Sequence, residues 1–296
     1  MLGRAILCLF LLAAGPALAA EKLKAVASFT ILADFVREVG GERVEVASLV
    51  GPDADAHSFQ PSPADARRIK EAKLIVVNGL GFEGWIDRLL RASGSKAPVL
   101  VASAAVKPIK EKGGHDHKHD HDADPHAWQD VGNTKLYVAA IRDGLAKADP
   151  EGRAAYEANA ARYLARLDEL ERDIRAGIAA IPPARREVIT THDAFGYFGR
   201  TYGLTFTAPQ GVSTDSEATA ADVARIIRQV KARKIPAVFL ENVSDRRLAD
   251  RIAAESGAKV GAKLYSDALS APGGPAATYL DMMRQNLAAL RAALLD

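Results

Sequence analysis

PEGRAAYEANAARYLARLDELERDIRAGIAAIPP, residues 150–183, is the stretch on which the fold turns. Its side chains Tyr156, Ala160, Tyr163, Leu167, Leu170, Ile174, Ile178 and Ile181 recur at steps of three and four, the spacing that gathers them on one face of an α-helix. The pattern predicts a single amphipathic helix over 151–181, about 45 Å long at 1.5 Å per residue. Pro182 and Pro183 stop it, because proline lacks the amide donor and clashes with the preceding turn. The pattern is too short for the sustained heptads of a coiled coil, so the helix reads as a strut between two halves of one chain.

Each half carries the same alternation. Before the helix, β-branched runs at KAVASF (24–29), VEVASLV (44–50), KLIVVN (73–78) and PVLVAS (98–103) are separated by helical patterns near 31–39, 63–72 and 83–93. After it, REVITTH (186–192), LTFTA (204–208), PAVFLEN (236–242) and AKVGAKLYS (258–266) alternate with helical patterns near 219–234, 245–256 and 276–294. Alternating strands and helices predict parallel sheets covered by helices. The expected fold is therefore α/β, with an N-terminal lobe over 20–150, a linking helix over 151–181 and a C-terminal lobe over 182–296. A rigid link of this kind limits hinge opening, so the cleft between the lobes is expected to change little in shape.

Residues 1–19, MLGRAILCLFLLAAGPALA, combine one early positive charge, a short apolar run and a small-residue ending, the form of a cleaved secretory signal peptide. The apolar run is shorter than the ~20 residues of a spanning helix. The only cysteine, Cys8, falls inside it, so the mature chain is expected to be cysteine-free, soluble and exported. A formal net charge of +2 leaves no electrostatic footprint for nucleic acid.

GLGFEG (79–84) has the spacing of a dinucleotide-binding turn, yet it follows the third strand and lacks the acidic residue that closes the next one. It reads instead as a tight strand-to-helix turn, with Glu83 in the first turn of the following helix. The histidines carry more chemistry. Five of the seven lie in GGHDHKHDHDADPHAWQD (113–130), and the others are His57 and His192. His57 and His192 follow strands, where α/β folds gather ligands, and His126 precedes a helix expected to start near Asn133. A closed zinc site takes four N, S or O ligands, and the absence of other cysteines leaves strand-end carboxylates as the fourth: Asp267, Glu241 or Asp193. Asp267 is preferred because it ends the last expected strand before the flexible SAPGGP loop. His115, His117, His119 and His121 alternate with acids in the insertion 113–124, a composition suited to weak auxiliary metal binding.

Taken together, GPDADAHSFQPSPAD (51–65), NGLGFEGWIDRLL (78–90), DPHAWQD (124–130), THDAFGYFGRTYGL (191–204) and LYSDALS (264–270) resemble the periplasmic metal-binding proteins of zinc and manganese ABC importers. The resemblance spans essentially the whole mature chain, in order. It implies two α/β lobes joined by a long helix with metal in the cleft, held by His57 and His126 from the first lobe and His192 and Asp267 from the second. In that family a glutamate at the His192 position goes with manganese and a histidine with zinc, so the resemblance implies Zn²⁺ as the transported ligand. It also implies an ABC permease with its cytoplasmic ATPase as partner. A periplasmic zinc metallochaperone is a further candidate partner, and a monomer is the expected state. The competing readings are a manganese importer component and an exported zinc hydrolase. The hydrolase lacks H-E-x-x-H and, with four direct ligands, would have no open position for water.

Overall fold

The computed structural model describes residues 21–110 and 123–295. The signal-peptide reading and the tract His115, His117, His119 and His121 lie outside these residues.

The N-terminal lobe runs β1 (Leu23–Ala27), α1 (Thr30–Gly40), β2 (Val44–Ser48), α2 (Pro63–Glu71), β3 (Leu74–Val77), α3 (Ile86–Ser93), β4 (Val99–Val101) and α4 (Val131–Ala148). Its four strands are parallel in the order β2-β1-β3-β4. α2 begins as its sequence predicts: the Ser62 hydroxyl accepts from the Asp65 amide while Asp65 accepts from the Ser62 amide, with Pro63 at the first helical position, so the free N–H groups of the first turn find partners.

The strut is α5 (Arg153–Ala179), preceded by a 3-10 turn at Pro150–Gly152. Its 27 residues make about 40 Å of helix, inside the 151–181 span expected. Tyr156, Ala160, Tyr163, Leu167, Leu170, Ile174 and Ile178 are all buried on it, the face that the spacing specified. The C-terminal lobe follows with β5 (Glu187–Ile189), α6 (Gly196–Tyr202), β6 (Thr205–Thr207), α7 (Ala220–Arg233), β7 (Ala237–Val238), α8 (Arg246–Ser256), β8 (Lys259–Val260) and α9 (Tyr279–Leu295). Its strand order, β6-β5-β7-β8, repeats that of the first lobe, again all parallel.

The strands of the second lobe are shorter than their apolar runs. REVITTH pairs only over Glu187–Ile189 and PAVFLEN only over Ala237–Val238; beyond them, isolated bridges join His192 to Gln210 and Glu241 to Leu264. The ladders end where the chain turns polar side chains toward the cleft instead of toward a neighbouring strand. The last strand likewise stops at Val260, so Asp267 lies well past its end, not at it.

One continuous apolar core runs from β1, α1, α4 and α5 into Phe195, Phe198, Leu264, Tyr279 and Met283 of the second lobe. A separate small cluster of Ile189, Val223, Ile226, Ile227, Val230, Ile235, Val238, Ala249 and Ile252 underlies α7 and α8. Buried hydrogen bonds stitch the lobes together: Trp128 Nε1 and Gln129 Nε2 donate to the Ser266 carbonyl at 2.9 and 3.0 Å, and the Tyr279 amide donates to Asp34 Oδ2 at 2.9 Å. Among the described residues no helix is long and apolar enough to cross a membrane.

Candidate metal centre

Two of the histidines are set by the same local device. Asp55-Ala56-His57 and Asp124-Pro125-His126 share a D-x-H spacing, and in both the aspartate Oδ1 accepts the amide of the histidine two residues on, at 2.9 Å each. This short side-chain-to-backbone ring fixes the turn from which the imidazole projects. Asp124 goes further and lies 2.8 Å from His126 Nδ1. Asp55 instead turns its second oxygen to Thr214 Oγ1 at 2.6 Å, across the cleft.

His192 is reached differently. Glu241 Oε1 accepts the amides of Thr191 and His192 at 2.9 and 2.8 Å, and its Oε2 makes a charge contact with His192 Nδ1 at 2.5 Å. Glu241, weighed in the sequence as a fourth ligand, thus sits behind His192 rather than beside the other imidazoles. Asp193, the remaining alternative, is not among the grouped donors either.

The structure brings His57, His126, His192 and Asp267 together, with one donor atom from each all within 4.8 Å of one another. His57 Nε2 lies 3.3 Å from His126 Nε2 and 3.6 Å from Asp267 Oδ2. Asp267 Oδ1 is 3.5 Å from His126 Nε2, and its Oδ2 is 3.1 Å from His192 Nε2. His126, His192 and Asp267 are fully buried and His57 nearly so. Asp267 thus makes charge contacts with His126 and His192 inside the cluster, although neither of its oxygens is aligned for a hydrogen bond.

Burial works against the charged form of His126, but Asp267 and Asp124 outweigh it and lift the imidazole to about 9. For His192 burial is likewise outweighed, by Glu241 and Asp267, and its pKa rises well above the ordinary value. His57, with no carboxylate on its far nitrogen, is dominated by burial and falls to about 4. Asp267, despite burial, is held well below the usual carboxylate range by His192 and His126.

GLGFEG forms the floor of this cluster. Gly79, Leu80 and Gly81 all take positive φ, which lets the turn double back so that Phe82 packs against His57 with ring centroids 4.6 Å apart. Glu83 is not in a helix's first turn as expected, since α3 starts at Ile86. It is buried, accepting from Ser28 Oγ and the amides of Asn78 and Gly79 at 2.5, 2.6 and 3.2 Å. Asn78 in turn donates to the Pro125 carbonyl at 3.0 Å, steadying the loop of His126. Asp124, counted in the sequence with the His-rich insertion, is a buried anchor instead. Lys110 and Ala123, the described residues on either side of 111–122, pair in an antiparallel bridge.

Four buried donors closed between two lobes, with carboxylates behind two of the imidazoles, make a group that could hold a metal ion. Residues 25–293 match the family described as zinc-uptake complex component A, periplasmic, and the chain belongs to that family. It is 35% identical to the manganese-binding lipoprotein MntA of Halalkalibacterium halodurans, over 90% of this chain and 87% of that protein. With the iron-binding protein YfeA of Yersinia pestis it shares 30% identity over 92% of this chain and 86% of the relative. Among solved structures, the periplasmic zinc binding protein TroA of Treponema pallidum superposes with a TM-score of 0.85 at 29% identity, covering 92% of this chain and 99% of TroA. The protein is therefore a metal-binding component of an ABC transporter, working with a permease and its ATPase, and not an enzyme.

Proposed function

We propose that the chain captures Zn²⁺ in the periplasm and delivers it to its permease, with Nε2 of His57, His126 and His192 and an oxygen of Asp267 as the ligands. The observation that carries the reading is the convergence of four buried donor atoms, one from each residue, all within 4.8 Å of one another. A tetrahedron with metal–nitrogen bonds of ~2.0–2.1 Å has edges of about 3.3 Å, and four of the donor separations here, counting both oxygens of Asp267, run from 3.1 to 3.6 Å, within a cluster whose donors all lie inside 4.8 Å. Three imidazoles suit zinc better than manganese, which prefers more oxygen.

A manganese reading has one observation in its favour: both oxygens of Asp267 face the imidazoles, so bidentate binding would give five donors. Native mass spectrometry with metal analysis, on protein isolated from a periplasm, separates the two. One zinc per chain is expected; manganese as the main metal overturns the zinc assignment.

In this reading residues 1–19 are removed on export and the mature protein is a free monomer. The tract with His115, His117, His119 and His121 adds weak zinc equivalents, because its alternating imidazoles and carboxylates are metal ligands. Deleting 115–122 is expected to remove those weak equivalents from a zinc titration and to leave one tight site. It is also expected to slow loading when zinc is scarce, since tethered ligands raise the local metal concentration.

A further inference from the structure

Asn242 follows Glu241 on a segment whose backbone is tied to Leu264, the Asn242 amide donating to the Leu264 carbonyl at 2.9 Å. Its carboxamide lies between two of the segments that carry the clustered residues, those of Asp267 and His57. Oδ1 accepts the Ser266 amide at 3.3 Å and Nδ2 donates to the Ala268 carbonyl at 3.1 Å, so the side chain clasps the backbone on both sides of Asp267. The same Nδ2 donates across the cleft to Asp53 Oδ1 at 3.0 Å. Asp53 begins the loop that leads to His57, and its own amide donates to the Leu269 carbonyl at 3.0 Å. It holds a left-handed φ of 52°, a conformation that an aspartate tolerates better than most residues.

The chemistry of these neighbours selects an amide. Two of them are acceptors and one is a donor, so a carboxylate at 242 would set negative oxygen against the Asp53 carboxylate and the Ala268 carbonyl. A flipped amide would meet the same conflict, which fixes the assignment of its oxygen and nitrogen. The bond to Asp53 is exposed, whereas the lobes are joined elsewhere by buried bonds such as Trp128 to Ser266. Breaking the Asn242 clasp therefore removes the side-chain tie between the His57 loop and the Asp267 loop, leaving them joined by the backbone bond from Asp53 to Leu269, without parting the lobes.

The geometry points to Asn242 as a positioning residue for the bound ion: it locks the His57 loop and Asp267 at their joint spacing and so sets how slowly the ion leaves. This rests on the reading that His57, His126, His192 and Asp267 hold the ion. The test uses the mature chain loaded with zinc alone, its release followed by stopped flow into excess chelator, and the visible absorption of the cobalt(II)-loaded protein as a report on ligand geometry. Asn242→Asp is expected to release zinc roughly ten- to a hundredfold faster, the size of effect seen when groups that orient ligands are lost, and to shift the cobalt bands. In the double variant Asn242→Asp with Asp53→Asn, the amide introduced at position 53 can donate to the carboxylate introduced at position 242, and slow release is expected to return in part. Parental release and an unchanged cobalt spectrum in Asn242→Asp overturn the inference, as does faster release that tracks a lowered melting temperature of the metal-free protein with no recovery in the double variant. His126→Ala is the control for the underlying reading: if it keeps parental zinc binding, the four-residue site falls; if it loses zinc while Asn242→Asp behaves as parent, only the role of Asn242 falls.

Discussion

Asp124, Glu241 and Asp267 are all buried around three imidazoles, and that excess of negative charge sets the proton chemistry of the metal-free chain. His126, raised to about 9, and His192, raised well above its ordinary value, hold protons at neutral pH, whereas His57, lowered to about 4, does not. A raised folded-state pKa stabilises the metal-free fold in full below the unfolded value near ~6.5 and loses that contribution as pH climbs through about 9. Metal competes with the same protons, so zinc affinity runs the other way: it rises as pH climbs through about 9, where His126 gives up its proton, and weakens below that, well above the range that unperturbed histidines imply. Calorimetry at neutral pH in buffers of different ionisation enthalpy should find protons released on zinc binding; release near zero would mean that the carboxylates do not hold these imidazoles charged. Asp124→Asn should weaken zinc binding by roughly ten- to a hundredfold and lower the proton count, checked in the same titration; unchanged affinity and proton count would deny it any hold on His126. The D-x-H spacing of Asp55 and Asp124 is visible in the sequence, but at Asp124 it is camouflaged by the alternating acids and histidines of residues 115–122. Asp267 and Glu241 both read as carboxylates near strand ends. Which one faces Nε2 and which one backs Nδ1 depends on where two segments far apart in sequence cross in space.

At the scale of elements, periodicity was readable wherever burial alone decides structure. α5 is the clearest case, because one apolar stripe packs against α1, α4 and α9, and a helix contacted along its length needs the regular spacing seen in residues 156–178. Leu167 and Leu170 are fully buried in that stripe. Leu167→Ala is expected to cost about 2–5 kcal/mol of stability with zinc stoichiometry unchanged, measured by denaturant unfolding of metal-free and metal-loaded protein. A loss under ~1 kcal/mol would show that the strut is packed loosely. Strand ends were harder to read, since apolar and β-branched residues continue past Ile189 and Val238 while the ladders do not. There, Thr191, His192 and Glu241 leave the sheet to meet one another, a tertiary demand that overrides strand propensity. The GLGFEG turn shows the same limit. Its glycines announce a turn, but nothing local announces that Glu83 folds back onto Ser28 or that Phe82 backs His57.

Over the whole molecule, the two cores decide what can move. The larger one passes through α5 into α6 and α9 without a break, so the second lobe cannot swing as a body without tearing apolar packing and the buried bonds from Trp128 and Gln129 to Ser266. The layer of α7 and α8 rests on the smaller cluster, and the loops that lead into it reach the first lobe through Thr214 to Asp55 and Asn242 to Asp53. Opening of the site for metal exchange is therefore expected to be local, confined to the loops around 51–59, 209–219 and 241–245 together with α7 and α8, whose buried cluster is the smaller of the two. Hydrogen exchange with and without zinc tests this. Metal removal should raise exchange in those loops and in α7 and α8 while α1, α4, α5 and α9 keep their protection, and the radius of gyration from solution scattering should stay constant. Lost protection along α5 or α9 would reveal a hinge through the main core and overturn the rigid-strut reading, because a helix that shares one core with both lobes cannot flex there without exposing the residues that bind it to each.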